Sequence, residues 1–473
     1  MTENSNFFPE TITTFDTIVP KIQEWLNFHS DSLNSFVNKK DRWLLVNRNL
    51  NGRVRLILPQ HMNTREDLVL WNPLVSNLMQ RLGKHAPVQS KKILLETELP
   101  STEILFESNK EQALKGAASY LIKGFTNVWI VDRLATEANW ARITPKTQGA
   151  PRVVFFSIKG GVGRSTALAA SAWSLAQQGK RVLVLDLDLE SPGLSSALLP
   201  ADRQPKYGIT DWLVEDLVDN GDVILDSIFS TSNLSHDGEI LVVPAHGGEH
   251  GEYISKLGRV WMPKLHPDGI REAWSSRLNR LLRMLEEKFQ PDVVLIDSRS
   301  GIDEIASACI TELGASLILL FALEGEQTWN GYRMLFEQWQ RAGVTDQIRD
   351  RLQIVGAIAP ELNRAEYLEG LRENSYKVFI STLYDELAPT EAGDVNGVWR
   401  VKELSDGWSF DESDETAPHH PWAVNWNRGF AGLRSLHGRL AEIDSKEVEQ
   451  VFGALISGIN NIVDEGKSHD TDS

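Results

Sequence analysis

The chain has 473 residues, enough for two or three domains with sizeable cores, and its 41 % hydrophobic content is ordinary for a soluble globular protein. A formal net charge of −17 opposes non-specific binding to nucleic acid or anionic lipid, both of which draw on an excess of Lys and Arg. The single cysteine, Cys309, excludes a disulfide framework, a paired-cysteine redox motif and a cysteine-based metal or iron–sulfur site within one chain, and a reducing cytoplasm is the expected setting.

In chain order, residues 1–10 are polar and acidic with no apolar signal core, and no run approaches about 18 apolar residues, so neither export nor a membrane span is expected. Residues 16–37 carry Ile18, Ile22, Trp25 and Leu26 at helical spacing, and residues 43–46 and 54–58, joined through Asn49-Leu50-Asn51-Gly52, read as a hairpin. A helix near 73–82 and short strands near 93–95 and 128–131 follow. The segment 1–148 is therefore expected to be a smaller α/β domain with no catalytic constellation, ending in a turn-rich connector with Pro145, Gly149 and Pro151. Basic clusters at 39–42 and 277–283 read as solvated faces. The fifteen tryptophans show no period and read as packing rather than base stacking.

From Val153 the pattern becomes strand, helix, strand, which predicts an α/β fold with a doubly wound, mostly parallel sheet. Strands are expected at 181–187, 292–297, 315–322 and 352–359, with an amphipathic helix at 273–289. Residues 405–420 read as an acidic exposed loop, with His419-His420 solvated rather than metal-bound. A final helix at 447–463 places Val448, Val451, Phe452, Leu455, Ile456, Ile459 and Val463 on one face. Its acidic flanks, Glu447, Glu449, Asp464 and Glu465, favour packing or dimerisation over membrane docking. Residues 366–465 thus read as a helical extension, and 466–473 as a disordered tail.

The chemistry concentrates at residues 159–166, Lys159-Gly160-Gly161-Val162-Gly163-Arg164-Ser165-Thr166, between the apolar run 153–158 and the helical stretch 167–178. A strand that ends in glycines and opens a helix leaves backbone N–H groups facing outward, and the helix dipole favours an anion there, so the loop predicts a phosphate cradle. Arg164 stands where such loops normally carry lysine. Two later strands end in acids: the first reads Asp186-Leu187-Asp188-Leu189-Glu190-Ser191-Pro192-Gly193, the second Asp297-Ser298-Arg299-Ser300-Gly301. In a parallel sheet all three ends share the carboxyl edge, where doubly wound folds bind ligands.

Over about residues 152–365 this arrangement resembles the ParA/MinD family of deviant Walker ATPases, whose loop reads KGGxGK[ST] and is followed by a strand ending DxD and an apolar strand ending in Asp. The strings "DLDLESPGL" and "LIDSRSG" are similar to a bacterial branch of that family that often shows GR[ST] in the loop. The resemblance implies ATP and Mg2+ as ligands. Lys159 would reach across a nucleotide-sandwich homodimer to the partner's phosphates, and Ser165 would bind Mg2+. Thr166 would bond the α-phosphate, and Asp297 would hold Mg2+ through water, supported by Asp186. Asp188 would position the attacking water, and Gly301 would offer its N–H to the γ-phosphate. Pro360 and Asn363 fall where the family's adenine pocket lies, and the absence of an NKxD-like motif favours ATP over GTP. Ser298-Arg299-Ser300 reads either as a plain turn or as a place where Arg299 senses γ-phosphate or bridges the dimer. Arginine keeps the charge at position 164 but is bulkier and planar, which leaves retained binding, slow hydrolysis or nucleotide sensing without hydrolysis open.

The expected function is an ATP-dependent dimerising switch that recruits an unknown protein partner. A non-hydrolysing sensor in a multi-protein system, for example anti-phage defence, is the alternative, and a DNA segregation or positioning ATPase a further one that the charge opposes. Iron–sulfur carriers of this fold need cysteines that are missing here. The related tyrosine kinases need a tyrosine-rich tail, whereas the seven tyrosines here end at Tyr384.

Overall fold

Alternation of apolar side chains along the strands decides which face each helix layer covers. The computed structural model describes residues 13–37, 41–50, 52–87, 103–114, 117–133, 139–249, 251–385, 407–430 and 433–470. The expected features at 1–10 and 93–95 lie outside the described residues. The chain divides into two compact units, 1–137 and 138–473.

In the first unit, strands β1 (Leu44–Arg48), β2 (Val54–Pro59), β3 (Ile104–Glu107), β4 (Ala118–Leu121) and β5 (Val128–Asp132) form a mixed sheet in the order β3-β2-β1-β5-β4. The expected hairpin is the antiparallel β1–β2 pair, and β4–β5 is antiparallel too. Helices α1 (Phe15–Phe28), α2 (Ser30–Val37) and α3 (Arg65–Leu82) supply Ile22, Trp25, Leu33, Trp71 and Leu78 to a core shared with Leu44, Leu56 and Ile130. Helix α3 starts well before the expected 73, because the Thr64 hydroxyl caps it by accepting from Asp67 N–H at 3.1 Å and Glu66 and Asp67 suit its first turn.

The second unit is the doubly wound part. Its strands are β6 (Arg152–Ser157), β7 (Arg181–Asp186), β8 (Ser230–Thr231), β9 (Glu239–Val243), a separate ribbon of β10 (Lys264–Leu265) and β11 (Arg271–Glu272), then β12 (Val293–Asp297), β13 (Leu317–Ala322), β14 (Leu352–Ala359) and β15 (Trp422–Asn425). The main sheet runs β15-β14-β13-β6-β12-β7-β9-β8, parallel throughout except for the β8–β9 edge. Val154, Phe156, Leu183 and Leu185 point to one core, completed by helices α5 (Trp274–Phe289), α6 (Glu326–Ala342) and α7 (Arg364–Thr382). Val153, Phe155, Val182 and Val184 point to the other, completed by α4 (Arg164–Gln177) and α8 (Ser445–Asp470).

Several expectations need correcting. The connector packs on the second unit rather than ending the first: Thr144 N–H donates to Thr311 O at 2.7 Å, and Trp339 Nε1 to Trp140 O at 2.9 Å. The region after 366 contains the C-terminal helices but is not an appendage. Helix α7 belongs to a core layer, and β15 extends the sheet in parallel beside β14. The apolar face of α8 is buried against α4 and β15, the packing among its expected roles, and Gly458 lets it approach, since a Cβ there would sit 2.1 Å from the Trp422 ring. The tail is helical through Asp470, because Gly466 costs a helix only about 1 kcal/mol and no proline follows. Residues 411–416 are largely exposed as expected, but His419 is fully buried, bonded to Tyr384 Oη and to Glu412 O at 3.1 Å, so it is a satisfied core histidine. Arg277 is not on a solvated face either. It is completely buried, donating from Nε to Asp216 at 2.8 Å beside Lys264 and Arg280, which share the same carboxylate.

Candidate nucleotide site

The loop between β6 and α4 has the conformation that its glycines permit. Gly161 and Gly163 take φ of +73° and +81°, in the left-handed region that L side chains rarely adopt, and Gly163 is the N-cap of α4. Residues Gly160 to Thr166 line one wall of a cleft of about 510 Å3, together with Asp188, Ser191, Arg299 and Ser300. That volume suits a ligand of nucleotide size.

Sheet register brings the acids together. Strand β12 lies between β6 and β7, with Asp297 directly beside Asp186 in the parallel register. Both carboxylates are essentially inaccessible to solvent. Burial, with the neighbouring Asp297 and Asp188 charges adding to it, pushes Asp186 up to about 8. Burial likewise raises Asp297 to about 6, against the opposing pull of Arg164 and the Ser165 hydroxyl, and it raises Asp188. Ser165 Oγ donates to Asp297 Oδ2 at 2.5 Å. Asp186 Oδ2, Asp188 Oδ1 and Asp297 Oδ1 are buried without a hydrogen-bond partner. Acid oxygens without a hydrogen-bond partner beside a serine hydroxyl are donors of the type that a hard divalent cation such as Mg2+ takes. No group of three or more His, Cys, Asp or Glu side chains among the described residues could hold a metal by themselves, so such an ion would depend on ligand and water oxygens as well.

Arg164 sits at the centre of this cluster. Its guanidinium is buried, donates from Nη1 to Ser157 Oγ, and lies 3.7 Å from both Asp188 Oδ2 and Asp297 Oδ1. Ser157 Oγ in turn donates to Lys159 O at 2.6 Å, tying the arginine to the start of the loop. The Lys159 side chain itself is half-buried and makes no ion pair or side-chain hydrogen bond among the described residues.

Not every predicted residue lines the cleft. Gly301, at φ +92°, donates its N–H to Ser157 O at 2.9 Å, and Pro360 lies outside the lining, as do Asp186 and Asp297 behind the loop. The opposite wall comes from residues that sequence reasoning missed: Ile358, Val424, Asn425, Trp426, Asn427 and Phe430, with Val451 and Phe452 of α8. Ile358 holds φ +51°, and Trp426 N–H donates to Ala359 O at 2.7 Å, fixing the end of β15 over the loop. The only sequence signal was the aromatic-and-amide run Trp422 to Asn427.

Several known proteins are similar to parts of this chain. MinD, the septum site-determining protein of Buchnera aphidicola, is 27 % identical over 214 residues, covering 45 % of this chain and 61 % of that protein. An iron–sulfur cluster carrier protein from Haemophilus influenzae is 28 % identical over 152 residues, covering 31 % of this chain and 37 % of that protein. The chain thus spans less than two thirds of the length of these relatives. Among solved structures, cobyrinic acid a,c-diamide synthase from Mycobacterium smegmatis, with bound ATP analog and magnesium, aligns with a TM-score of 0.34 and 21 % identity over 51 % of this chain and 86 % of that one. Residues 153–462, more than half of the chain, match the family model described as the CobQ/CobB/MinD/ParA nucleotide binding domain. The chain therefore belongs to the CobQ/CobB/MinD/ParA family of P-loop proteins.

Proposed function

We propose that this chain binds ATP with Mg2+ in the cleft and acts as a nucleotide-controlled switch that forms a homodimer, hydrolyses ATP slowly and recruits a protein partner. The observation that carries the reading is the convergence of a glycine loop at a helix N-terminus with three buried acid oxygens that lack a hydrogen-bond partner. The amides of residues 160–166 and the dipole of α4 receive the phosphates. Ser165 and Asp297 hold the metal with Asp186 behind them, and Thr166 bonds the phosphate chain. When bound, Mg2+ neutralises charge on the phosphate oxygens. Asp188 orients the water, Gly301 turns its N–H from Ser157 O toward the terminal phosphate, and Lys159, free of an acidic partner among the described residues, reaches the second copy. The wall of Ile358, Asn425, Trp426 and Asn427 faces the base.

A second reading, nucleotide sensing without hydrolysis, is favoured by one contact. Arg164 lies 3.7 Å from Asp188, the residue that would hold the water, so an arginine that stays there restrains turnover. ATP turnover and solution mass of the wild type, Lys159→Ala, Arg164→Lys and Asp188→Ala separate the two. The switch requires that ATP shift the wild type toward dimer, that Lys159→Ala abolish the shift, and that Asp188→Ala lower turnover at least tenfold. A wild type whose mass ATP does not change, and which turns over no ATP, contradicts it. A rise in turnover for Arg164→Lys identifies the arginine as a brake.

A further inference from the structure

Arg299 is the one cation of the cleft lining, besides Arg164, that the chemistry above does not use. It stands in the loop after β12, yet its guanidinium is spent on two other loops. Nη2 lies 2.6 Å from Glu190 Oε2, in the loop after β7, and Nη1 lies 3.2 Å from Asp303 Oδ2. Asp303 is fixed, because its Oδ1 accepts from Ala306 N–H at 2.8 Å and caps the short helix Glu304–Ser307. Glu190 has no such second anchor among the described residues, and its side chain is 41 % exposed. The two ion pairs therefore differ in how easily they open. Release of Glu190 costs little, since water replaces the arginine, whereas Asp303 stays in place.

Charge gives the direction of the exchange. Asp188, Glu190 and Asp303 all act on this corner of the cleft, and Arg299 is the cation they share. A polyphosphate entering from the loop side adds negative charge where three carboxylates already stand, which is unfavourable unless a cation moves toward it. Ser300, the next residue, stands close to the loop: a Cβ on Gly160 would meet its Oγ at 3.4 Å. Arg299 and the loop line the same cleft.

We propose that Arg299 is a specificity-determining residue for the terminal phosphate of a nucleoside triphosphate, and that Glu190 competes with that phosphate for its guanidinium. The inference rests on the ATP-binding reading and adds to it a preference for the triphosphate over the diphosphate. Glu190 keeps the arginine parked when no third phosphate is present, and Asp303 keeps its other amino group oriented. The planar fork of arginine serves both contacts, which a lysine would not.

The test is equilibrium titration of the full chain with ATP and with ADP, each with Mg2+, for the wild type, Glu190→Gln, Arg299→Gln and Arg299→Lys. Glu190→Gln should bind ATP roughly three- to fivefold tighter with ADP unchanged, the range that a partly exposed ion pair allows. Arg299→Gln should lose the preference for ATP over ADP, and Arg299→Lys should recover part of it. If Glu190→Gln and Arg299→Gln shift ATP and ADP equally, the arginine only braces the loops and the proposal is wrong. If the wild type binds ATP while neither variant changes the ratio, the inference falls and the ATP site stands. If the wild type binds neither nucleotide, both fall.

Discussion

Two pairs of charged residues hold the same position in the two sheets and have opposite fates. At the end of β1 in the first unit, Arg48 stands in register beside Asp132 of β5, and the two form an ion pair at 2.5 Å, with Arg48 also lying over the Phe15 ring at 3.9 Å. At the end of β12 in the second unit, Asp297 stands in register beside Asp186 of β7, and acid faces acid. The first pairing is self-sufficient. The second leaves acid oxygens without hydrogen-bond partners, and the nearest positive charge that offsets them is Arg164, 3.7 Å from Asp297 Oδ1. Strand direction completes the contrast. Antiparallel pairs in the first sheet send strand ends to both edges, while the parallel second sheet gathers β6, β7 and β12 at one edge under the glycine loop.

The largest effect expected from this contrast is in the first unit. Arg48→Ala leaves Asp132 without its partner and strips packing from Phe15, and it should destabilise that unit by about 3 kcal/mol in denaturant titration while ATP affinity is unchanged. A parallel loss of ATP affinity would break the separation between the two units.

Asp186→Asn should do the reverse. The wild-type carboxyl is raised to about 8 in the folded chain against an ordinary value near 3.8, so its favourable contribution is complete below about pH 4 and is lost as pH rises through 8. The amide removes that loss. The variant should therefore gain stability over the wild type at pH 9 without ligand, and nothing at pH 4, in thermal melts across that range. Wild-type stability that does not fall relative to the variant between pH 4 and pH 9 would show that the acids are not strained.

A smaller effect is expected at the far wall of the cleft. Gly458→Ala forces α8 away from Trp422, at a cost of about 1–2 kcal/mol, and should weaken nucleotide binding several-fold by moving Val451 and Phe452. An unchanged affinity would mean that the wall built by β15 and α8 does not touch the ligand.

These differences also explain what the sequence made legible. The runs at 153–158, 181–187, 292–297 and 352–359 were readable because buried parallel strands are continuously apolar, and the loop because glycines at left-handed positions leave a clear mark. Asp186, Asp188 and Asp297 followed from their places at strand ends. The β15 strand was not readable: it is four residues long, carries Trp422 and Asn425 without alternation, and depends on Gly458 of a helix well beyond it. The same holds for His419 and Arg277, whose burial comes from distant partners such as Tyr384 and Asp216. Pro360 follows from where the resembled family's adenine pocket falls, whereas here Ile358, at φ +51°, lines the cleft and Pro360 does not.

Calorimetric titration of the full chain with ATP and Mg2+, compared with Asp297→Asn and repeated in EDTA, decides whether this edge is a nucleotide site. Saturable binding of one ATP per chain is expected in the wild type, weakened at least about 100-fold in the variant and markedly by EDTA, as removal of a buried metal-holding charge requires. Absence of binding in the wild type, or equal affinity in Asp297→Asn, would contradict it.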